Sequence, residues 1–391
     1  MTSIRQQTDW VLVILLWVAG LGAAAQYGKV SVVYDRLGTH YPDAGATLGF
    51  VVSLVGVTGM ILGVIAGLLV ARLRYRRTLL WALGFGALVS FYQATLPPLP
   101  LLLASRIIEG ISHLAIVVAA PTLIAELSAK RHAGFTLTLW GTFFGVSFAI
   151  LVFAGLPLAD TFGVGALFAA HGAFLTLIAL PLALRLPRIA REAPNEPLSV
   201  TGLLKRHADI YRSPTLSAAG IGWLFYTLCF VSLLTLLPPF IDDYVRALVI
   251  GAMPLVSIGS SLTLGVWLLR FVRAVRVIEA GFLLSCALAS ALIASPGDPV
   301  LCVALAAALG LVQGASFAAV PQLNATADGR AAAYGAMAQT GNIGNTVGTP
   351  LLAAIIASFG HTGAMFAAGV LLLCGFLTHQ WLGRRRHALR V

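Results

Sequence analysis

The feature that most constrains this chain is a succession of apolar runs, each about twenty residues long and separated by short segments rich in Pro, Gly or charge. A helix needs roughly 20 apolar residues to cross the hydrocarbon core of a bilayer. Only 10% of the 391 residues are charged and 59% are hydrophobic, whereas about 25% are charged in an ordinary soluble domain. The mean hydropathy is +0.93. We therefore expect an all-α, polytopic membrane protein and exclude a water-soluble globule.

Twelve apolar runs can be separated, six on each side of the long polar stretch at 187–214. They predict twelve transmembrane helices in two six-helix bundles, at 1–190 and 212–391, joined by a cytoplasmic central loop at 191–211. The predicted crossings are 10–33, 44–70, 78–96, 101–127, 135–156, 163–186, 215–240, 248–269, 274–295, 298–322, 331–358 and 361–382.

The positive charges fall into alternate loops of this arrangement. If the N-terminus lies inside, 21 of the 25 lysines and arginines are at inner positions. Because cationic loops stay on the cytoplasmic side during insertion, both termini are predicted to be cytoplasmic, in a bacterial-type inner (plasma) membrane. The formal net charge of +11 then needs no nucleic-acid partner. The expected surroundings are the lipid bilayer, and the chain is expected to be a monomer.

An internal repeat supports two related halves. Residues 301–350 align without gaps on 101–150 with ten identical pairs, among them Gly110 with Gly310 and Pro121 with Pro321. Alanine and leucine bias contributes several of these pairs, but the glycine, the proline and the polar loop between the spans coincide as well. Such a repeat predicts duplication of a six-helix unit.

Two sets of six helices with a basic central loop resemble the major facilitator superfamily of secondary transporters. After the second span, the family's loop signature is matched at four positions, Gly67, Arg72, Arg76 and Arg77. Ala71 and Arg74 depart from it, at the places of its acid and its second glycine. Arg106 to Gly110 resembles the family's arginine, three residues, glycine signature. The resemblance implies a cytoplasmic gating loop at the four matching residues and alternating access around a midplane site.

Three ionisable residues share the fourth span. Arg106, Glu109 and His113 are 3, 4 and 7 residues apart, which puts them on one face of a helix. A charge at the bilayer centre costs about 2.5–3.5 kcal/mol even on the lenient insertion scale, so such residues usually face a cavity or a partner. We expect Arg106 to bind an anionic or polar group of a substrate, and Glu109, with His113 extending the relay, to carry a coupling proton. The alternative is a structural Arg106–Glu109 pair beside a packed histidine.

Lys29 admits two interpretations. It lies near the outer end of the first span, where a lysine can extend its ammonium group to water. The family resemblance instead places the first and fourth helices on one cavity, so that Lys29 and Arg106 would form a positive wall that favours an anion. Other polar or aromatic candidates for substrate binding, each of which can equally serve helix packing, are Trp140, Tyr226, Gln313, Gln339, Asn342 and Asn345.

The sequence contains no GxSxG, Walker or HExxH motif, and its four cysteines lack metal-site spacing, so we expect no enzyme activity, cofactor or metal. The prediction is a secondary active transporter that moves a small polar, anionic solute, coupled to protons because Glu109 is the carboxylate near mid-membrane. Two alternatives stay open: a proton-coupled exporter of drugs or metabolites, and a non-transporting membrane receptor or assembly factor on the same fold. Substrate, direction, coupling ion and stoichiometry also stay open.

Overall fold

A computed structural model describes residues 7–63, 66, 74–129, 132–187 and 200–388. These residues are helical with short connections, and no strand occurs among them. Within these ranges, ten helices are long and apolar enough to cross a membrane. The predictions of an all-α fold and of a multi-pass membrane protein are therefore confirmed.

The membrane-length helices are α1 (Trp10–Ser31), α2 (Pro42–Gly63), α3 (Tyr75–Ala94), α4 (Leu99–Leu127), α5 (Phe143–Phe162), α6 (Val164–Arg185), α7 (Ser217–Leu236), α8 (Asp243–Leu268), α9 (Ala274–Ala294), α10 (Pro299–Leu323), α11 (327–359) and α12 (361–388). Shorter helices are Tyr34–His40, Ala133–Gly141 and Val200–Arg212, which we call the linker helix.

The ten candidate spans and the twelve helices differ for two reasons. The last span, Ala332–Ala388, includes most of α11 and all of α12, which are separated where Gly360 takes φ +62° and ψ −162°. Only glycine adopts such a conformation freely. Helix α3 is less apolar, since it carries two arginines and the polar residues Ser90 and Gln93, and it is not among the ten. Twelve membrane crossings thus stay a prediction.

The chain divides into two compact units. Unit 1 comprises Met1–Pro42 and Ile65–Glu196, and unit 2 comprises Asp43–Val64 and Pro197–Val391. Helix α2 therefore groups with the second unit. The segment predicted as a loop at 191–211 includes most of the linker helix. The predicted domain limits at 190 and 212 stay a prediction.

In unit 1, α1 packs against α4, α5 and α6, and α3 packs against α4 and α6. Their shared apolar core includes Leu16 of α1, Leu83 of α3, Ile116 of α4 and Leu175 of α6, all without exposed surface. In the middle of α1, every residue of 19–25 except Leu21 is Ala or Gly, so side chains of neighbouring helices reach its backbone directly.

Unit 2 depends on glycines at its helix contacts. A Cβ built at Gly344 of α11 would lie 2.8 Å from the carbonyl oxygen of Leu224 in α7, and one at Gly348 would meet Leu228. Helix α2 also lies against α11, where a Cβ on Gly59 would meet the Asn342 side chain. Small residues let membrane helices approach this closely.

Candidate functional site

Three charged side chains meet inside unit 1. Lys29 Nζ donates to Glu109 Oε1 at 2.8 Å, and Arg106 Nη1 is paired with Glu109 Oε2. None of the three side chains has any exposed surface. The ammonium group of Lys29 therefore does not extend to water, and the structural Arg106–Glu109 pair foreseen as an alternative is present. We call Lys29, Arg106 and Glu109 the ion cluster.

Polar residues of α3 and α6 complete the surroundings of Lys29. Besides Glu109, Lys29 Nζ donates to Ser90 Oγ at 2.7 Å and to Gln93 Oε1 at 2.7 Å, and it lies 3.3 Å from His171 Nδ1. Gln93 Nε2 donates to Glu109 Oε2 at 2.9 Å. Each charge of the cluster thus has hydrogen-bonded partners, which buried charges require.

The backbone of α1 fixes the protonation of the nearby histidine. His171 Nε2 lies 2.9 Å from the carbonyl oxygen of Gly22, which can only accept, so Nε2 carries the proton. Its Nδ1 then accepts from Ser90 Oγ at 2.7 Å. His171 is accordingly a neutral acceptor beside Lys29. The cluster contains two cations and one carboxylate, and its formal charge is +1.

Side chains from three helices donate to carbonyls of α1. The pairs are Ser147 Oγ with Leu21, 2.8 Å; His171 Nε2 with Gly22, 2.9 Å; His113 Nδ1 with Ala23, 3.0 Å; and Arg106 Nη2 with Gln26, 2.5 Å. Because these carbonyls belong to the backbone of α1, the four hydrogen bonds attach α1 to α4, α5 and α6 at the level of the ion cluster. Gln26 Oε1 is buried there without a hydrogen-bond partner among the described residues.

His113 and Trp140 lie in unit 1 outside the hydrogen bonds of the cluster. His113 is 7% exposed, whereas the cluster side chains are fully buried, and its ring meets Tyr27 edge-on at 5.2 Å. Trp140 stacks on Phe143 at 4.5 Å and covers Gly20 of α1. These contacts are of the packing type, and substrate contact by either residue stays a prediction.

The remaining predicted binding residues belong to unit 2. Tyr226 is buried in a stack between Trp223 and Phe230, with ring centroids 4.6 and 5.2 Å away. Asn342 Nδ2 donates to Ala338 O in its own helix at 2.8 Å. Asn345 Oδ1 is buried without a hydrogen-bond partner in the described part of the chain. Gln313 of α10 is half-buried.

Gln339 joins three elements of unit 2. Its Nε2 donates to the carbonyl of Met60 in α2 at 3.1 Å and lies 3.3 Å from His207 Nε2 of the linker helix. Tyr211 of the linker helix donates to Gln339 Oε1 at 2.8 Å. Burial raises the pKa of Tyr211 to about 12, so the hydroxyl keeps its proton at neutral pH. This amide connects helices, as one of its two interpretations foresaw.

The predicted gating loop is described only in part. Gly67 and Arg72 lie outside the described residues. Arg76 donates through Nε to Leu186 O at 2.8 Å and through Nη2 to Ala183 O at 2.7 Å, so it caps the end of α6. Arg77 is exposed at the start of α3. A gating role for the four residues stays a prediction.

Sequence reasoning missed three residues around Lys29, namely Ser90, Gln93 and His171. Each is a polar residue within an apolar run, which is the signal that drew attention to the fourth span. Among the described residues, no group of three or more His, Cys, Asp or Glu side chains could hold a metal ion. The site is therefore a buried set of charges and hydrogen bonds.

The helical multi-pass fold defines a polytopic membrane protein, and it holds an ion cluster buried between its helices. The sequence pattern of the Major Facilitator Superfamily matches residues 12–329, and the chain belongs to this family. Family and fold indicate a transporter rather than an enzyme. Among solved structures, the chain is similar to the human organic anion transporter MFSD10 (TETRAN), with a TM-score of 0.70, 16% identity, and coverage of 94% of this chain and 98% of that one. No curated protein matches the sequence significantly.

Proposed function

We propose that the protein is a proton-coupled secondary transporter of a small anionic solute, which it binds at the ion cluster. The observation that carries the proposal is the excess of one positive charge among three fully buried side chains. Burying an uncompensated charge costs several kcal/mol per ion even after relaxation. A purely structural cluster is better served by equal numbers of cations and anions, whereas a binding site for an anion uses the surplus cation.

Competition for the same cations would couple the solute to a proton. Glu109 pairs with Lys29 and Arg106 through its two carboxylate oxygens. Protonation of Glu109 removes that negative charge, so both cations become available to an anionic group. Because proton and anion favour the same state, they bind together, and by linkage each increases the affinity for the other to the same extent.

Access to the cluster requires movement of helices. In the described conformation the three side chains have no exposed surface. Alternating access in this class rocks one helical bundle against the other and opens the site to one side at a time. We propose that the chain does so as a monomer in an inner membrane, with both termini in the cytoplasm. The similar human protein is an organic anion transporter, which agrees with an anionic cargo.

The test uses purified protein in sealed vesicles. A thermal-shift screen of small carboxylates, sulfonates, sugars and amphiphilic cations identifies a ligand, and a radiolabelled form is then followed with and without an imposed pH gradient. We expect an anion to accumulate with the gradient. A ligand that shifts the melting temperature but never enters would favour the receptor alternative, and gradient-driven movement of amphiphilic cations would favour the exporter.

Variants of the cluster separate binding from coupling. Glu109→Gln should keep exchange of the anion between the two sides but lose accumulation driven by the pH gradient, because the amide cannot carry the proton. Arg106→Ala should abolish transport, and Lys29→Ala should lower the affinity for the anion. Glu126→Gln is the matched control, since it changes a carboxylate on the same helix roughly 25 Å away. Unchanged gradient-driven uptake in Glu109→Gln would disprove the proton role.

A further inference from the structure

A set of exposed arginines lies where α9 begins and α12 ends in unit 2. It contains Arg270, Arg273, Arg276, Arg384 and Arg385. Exposed aromatic side chains lie beside them: Trp267 in the last turn of α8 is 53% exposed, Phe271 between α8 and α9 is 72% exposed, and Trp381 of α12 is 53% exposed. We call these eight residues the α9–α12 patch.

Helix packing puts the two groups of arginines at one level. Phe282 of α9 contacts Gly375 of α12, where a built Cβ would lie 2.7 Å from the ring. Counted at about 1.5 Å per residue from that contact, Arg276 lies roughly 9 Å and Arg384 roughly 13 Å toward the same end. Glu279 interacts electrostatically with both Arg276 and Arg386, so the two helix ends are close in space.

The arginines of the patch differ from others nearby in what they bind. Arg386 donates to the carbonyl of Pro214 at 3.0 Å, and Arg330 donates to that of Ala325 at 2.6 Å, so both serve to cap backbone groups. In the described part of the chain, the side chains of Arg270, Arg273 and Arg384 make no hydrogen bond or ion pair. Arg276 reaches Glu279 only at 3.4 Å and its side chain is 70% exposed. The patch therefore presents three guanidinium groups that have no partner within the described residues, and a fourth, on Arg276, that is largely exposed.

The aromatic residues indicate which kind of anion fits. Tryptophan and tyrosine are enriched at the headgroup level of membranes, where an amphipathic ring is stable. The guanidinium of Arg385 lies 5.0 Å from the centre of the Trp381 ring, which keeps the charge at the depth of the indole. A dissolved anion would gain nothing from exposed Trp267, Phe271 and Trp381, whereas a lipid has acyl chains to cover them.

We propose that the α9–α12 patch binds an anionic phospholipid of the surrounding leaflet, with its phosphate held by arginines from both helix ends and its acyl chains against the exposed aromatic rings. Basic residues next to membrane helices attract anionic headgroups, each contributing about 1 kcal/mol near the surface. The proposal is independent of the transported solute and of which side of the membrane is cytoplasmic, because it concerns one end of unit 2 alone.

The experiment measures quenching of tryptophan fluorescence by brominated lipids. Protein is reconstituted into phosphatidylcholine discs that contain a minor fraction of brominated phosphatidylglycerol or, in parallel, brominated phosphatidylcholine. We expect stronger quenching by phosphatidylglycerol, and we expect Trp381→Phe to remove much of the difference. Because each arginine contributes about a factor of five, Arg273→Gln with Arg384→Gln should weaken phosphatidylglycerol binding roughly thirty-fold at low salt.

The control is Arg185→Gln with Lys205→Gln, which removes the same charge from exposed positions outside the patch. Gel filtration and circular dichroism establish that each variant is folded. Equal quenching by both lipids would overturn the proposal, and so would an equal loss of phosphatidylglycerol binding in the control pair. Either result means that the protein attracts the lipid only through its general charge. Competition by inorganic phosphate at concentrations comparable to the lipid would overturn it as well, because the patch would then bind free anions.

Discussion

The fourth and the tenth helices have matching positions in the internal repeat but different chemistry. Gly110 and Gly310 coincide, as do Pro121 and Pro321, whereas Arg106 and Glu109 correspond to Ala306 and Leu309. In α4 the two charges are buried and bound to α1 and α3. In α10 the same positions are filled by apolar residues within the core. At these corresponding positions of the sequence repeat, α4 carries buried ionic side chains and α10 carries buried apolar ones.

The polar atoms of the two units are also satisfied differently. Lys29 in unit 1 has four acceptors within 3.3 Å. In unit 2, His361 and His379 are buried, and neither ring nitrogen of either one has a hydrogen-bond partner in the described regions. A bonded network holds charges in fixed positions, while an unbonded histidine contributes mainly packing. We infer that unit 1 carries the chemistry and that unit 2 depends more on close helix packing.

The largest effect is expected from removing the carboxylate of the cluster. Glu109→Leu leaves Lys29 and Arg106 buried without their counter-ion, and breaking a buried pair in this way costs about 3–5 kcal/mol. This cost is measured as the decrease in the free energy of unfolding in mixed lipid–detergent micelles. Lys29→Met combined with Glu109→Leu restores the native formal charge, so the double variant should be more stable than Glu109→Leu alone.

The matched change in the other half is Gln313→Leu in α10, at the place that corresponds to His113. It removes a half-buried amide and leaves no unpaired charge, so we expect the free energy of unfolding to change by less than about 1 kcal/mol. Comparable losses in Gln313→Leu and Glu109→Leu would break the comparison between the two units, as would a double variant that is less stable than Glu109→Leu.

A smaller effect is expected from filling the glycine contact of unit 2. Gly344→Val would place side-chain atoms against the α7 backbone at Leu224 and Leu228. Overpacking of this kind costs typically 1–3 kcal/mol. Gly259→Ala is the control, because a Cβ there meets nothing within 4 Å. If both substitutions leave the free energy of unfolding unchanged, the close α7–α11 approach does not stabilise unit 2.

The course of the helices could be predicted well from sequence, because apolar run length and breakers determine it. The runs at 10–33 and 274–295 became Trp10–Ser31 and Ala274–Ala294. The linker helix, Val200–Arg212, was not foreseen, since a polar stretch between two bundles gave no reason to expect a helix there. The Arg106–Glu109 pair was open to prediction, because one helical turn brings two such residues together whatever the tertiary fold.

The rest of the site depends on helix orientation, which this sequence does not specify. The few polar residues of α3 and α6 do not form a continuous polar face, so the sequence does not indicate which side of either helix turns toward α1. Ser90, Gln93 and His171 reach Lys29 only because packing selects one rotation of each helix. For the same reason the sequence left open whether Lys29 faces water or protein.

Two amides with different surroundings provide a test of intermediate size. Gln93 contacts both Lys29 and Glu109, whereas Gln339 connects α11 to α2 and to the linker helix. Hydrogen bonds inside membrane proteins contribute on average about 0.6 kcal/mol, and we expect Gln93→Ala and Gln339→Ala each to lower stability by about that amount or somewhat more. Only Gln93→Ala should shift the pH dependence of transport in vesicles. An equal shift in Gln339→Ala would extend the chemistry to unit 2.

The smallest effect is expected from an ion pair of the same chemical type in an exposed position of unit 1. Arg36 Nε donates to Asp160 Oδ1 at 2.8 Å, but the two side chains are 37% and 50% exposed. Exposed pairs contribute about 0.2–1 kcal/mol and are screened by salt. Arg36→Ala should therefore change the unfolding free energy by less than about 1 kcal/mol, and the change should shrink as salt is raised. The loss in Glu109→Leu should persist at high salt, because ions in solution do not reach a side chain without exposed surface. Equal salt sensitivity of the two losses would mean that water enters the ion cluster.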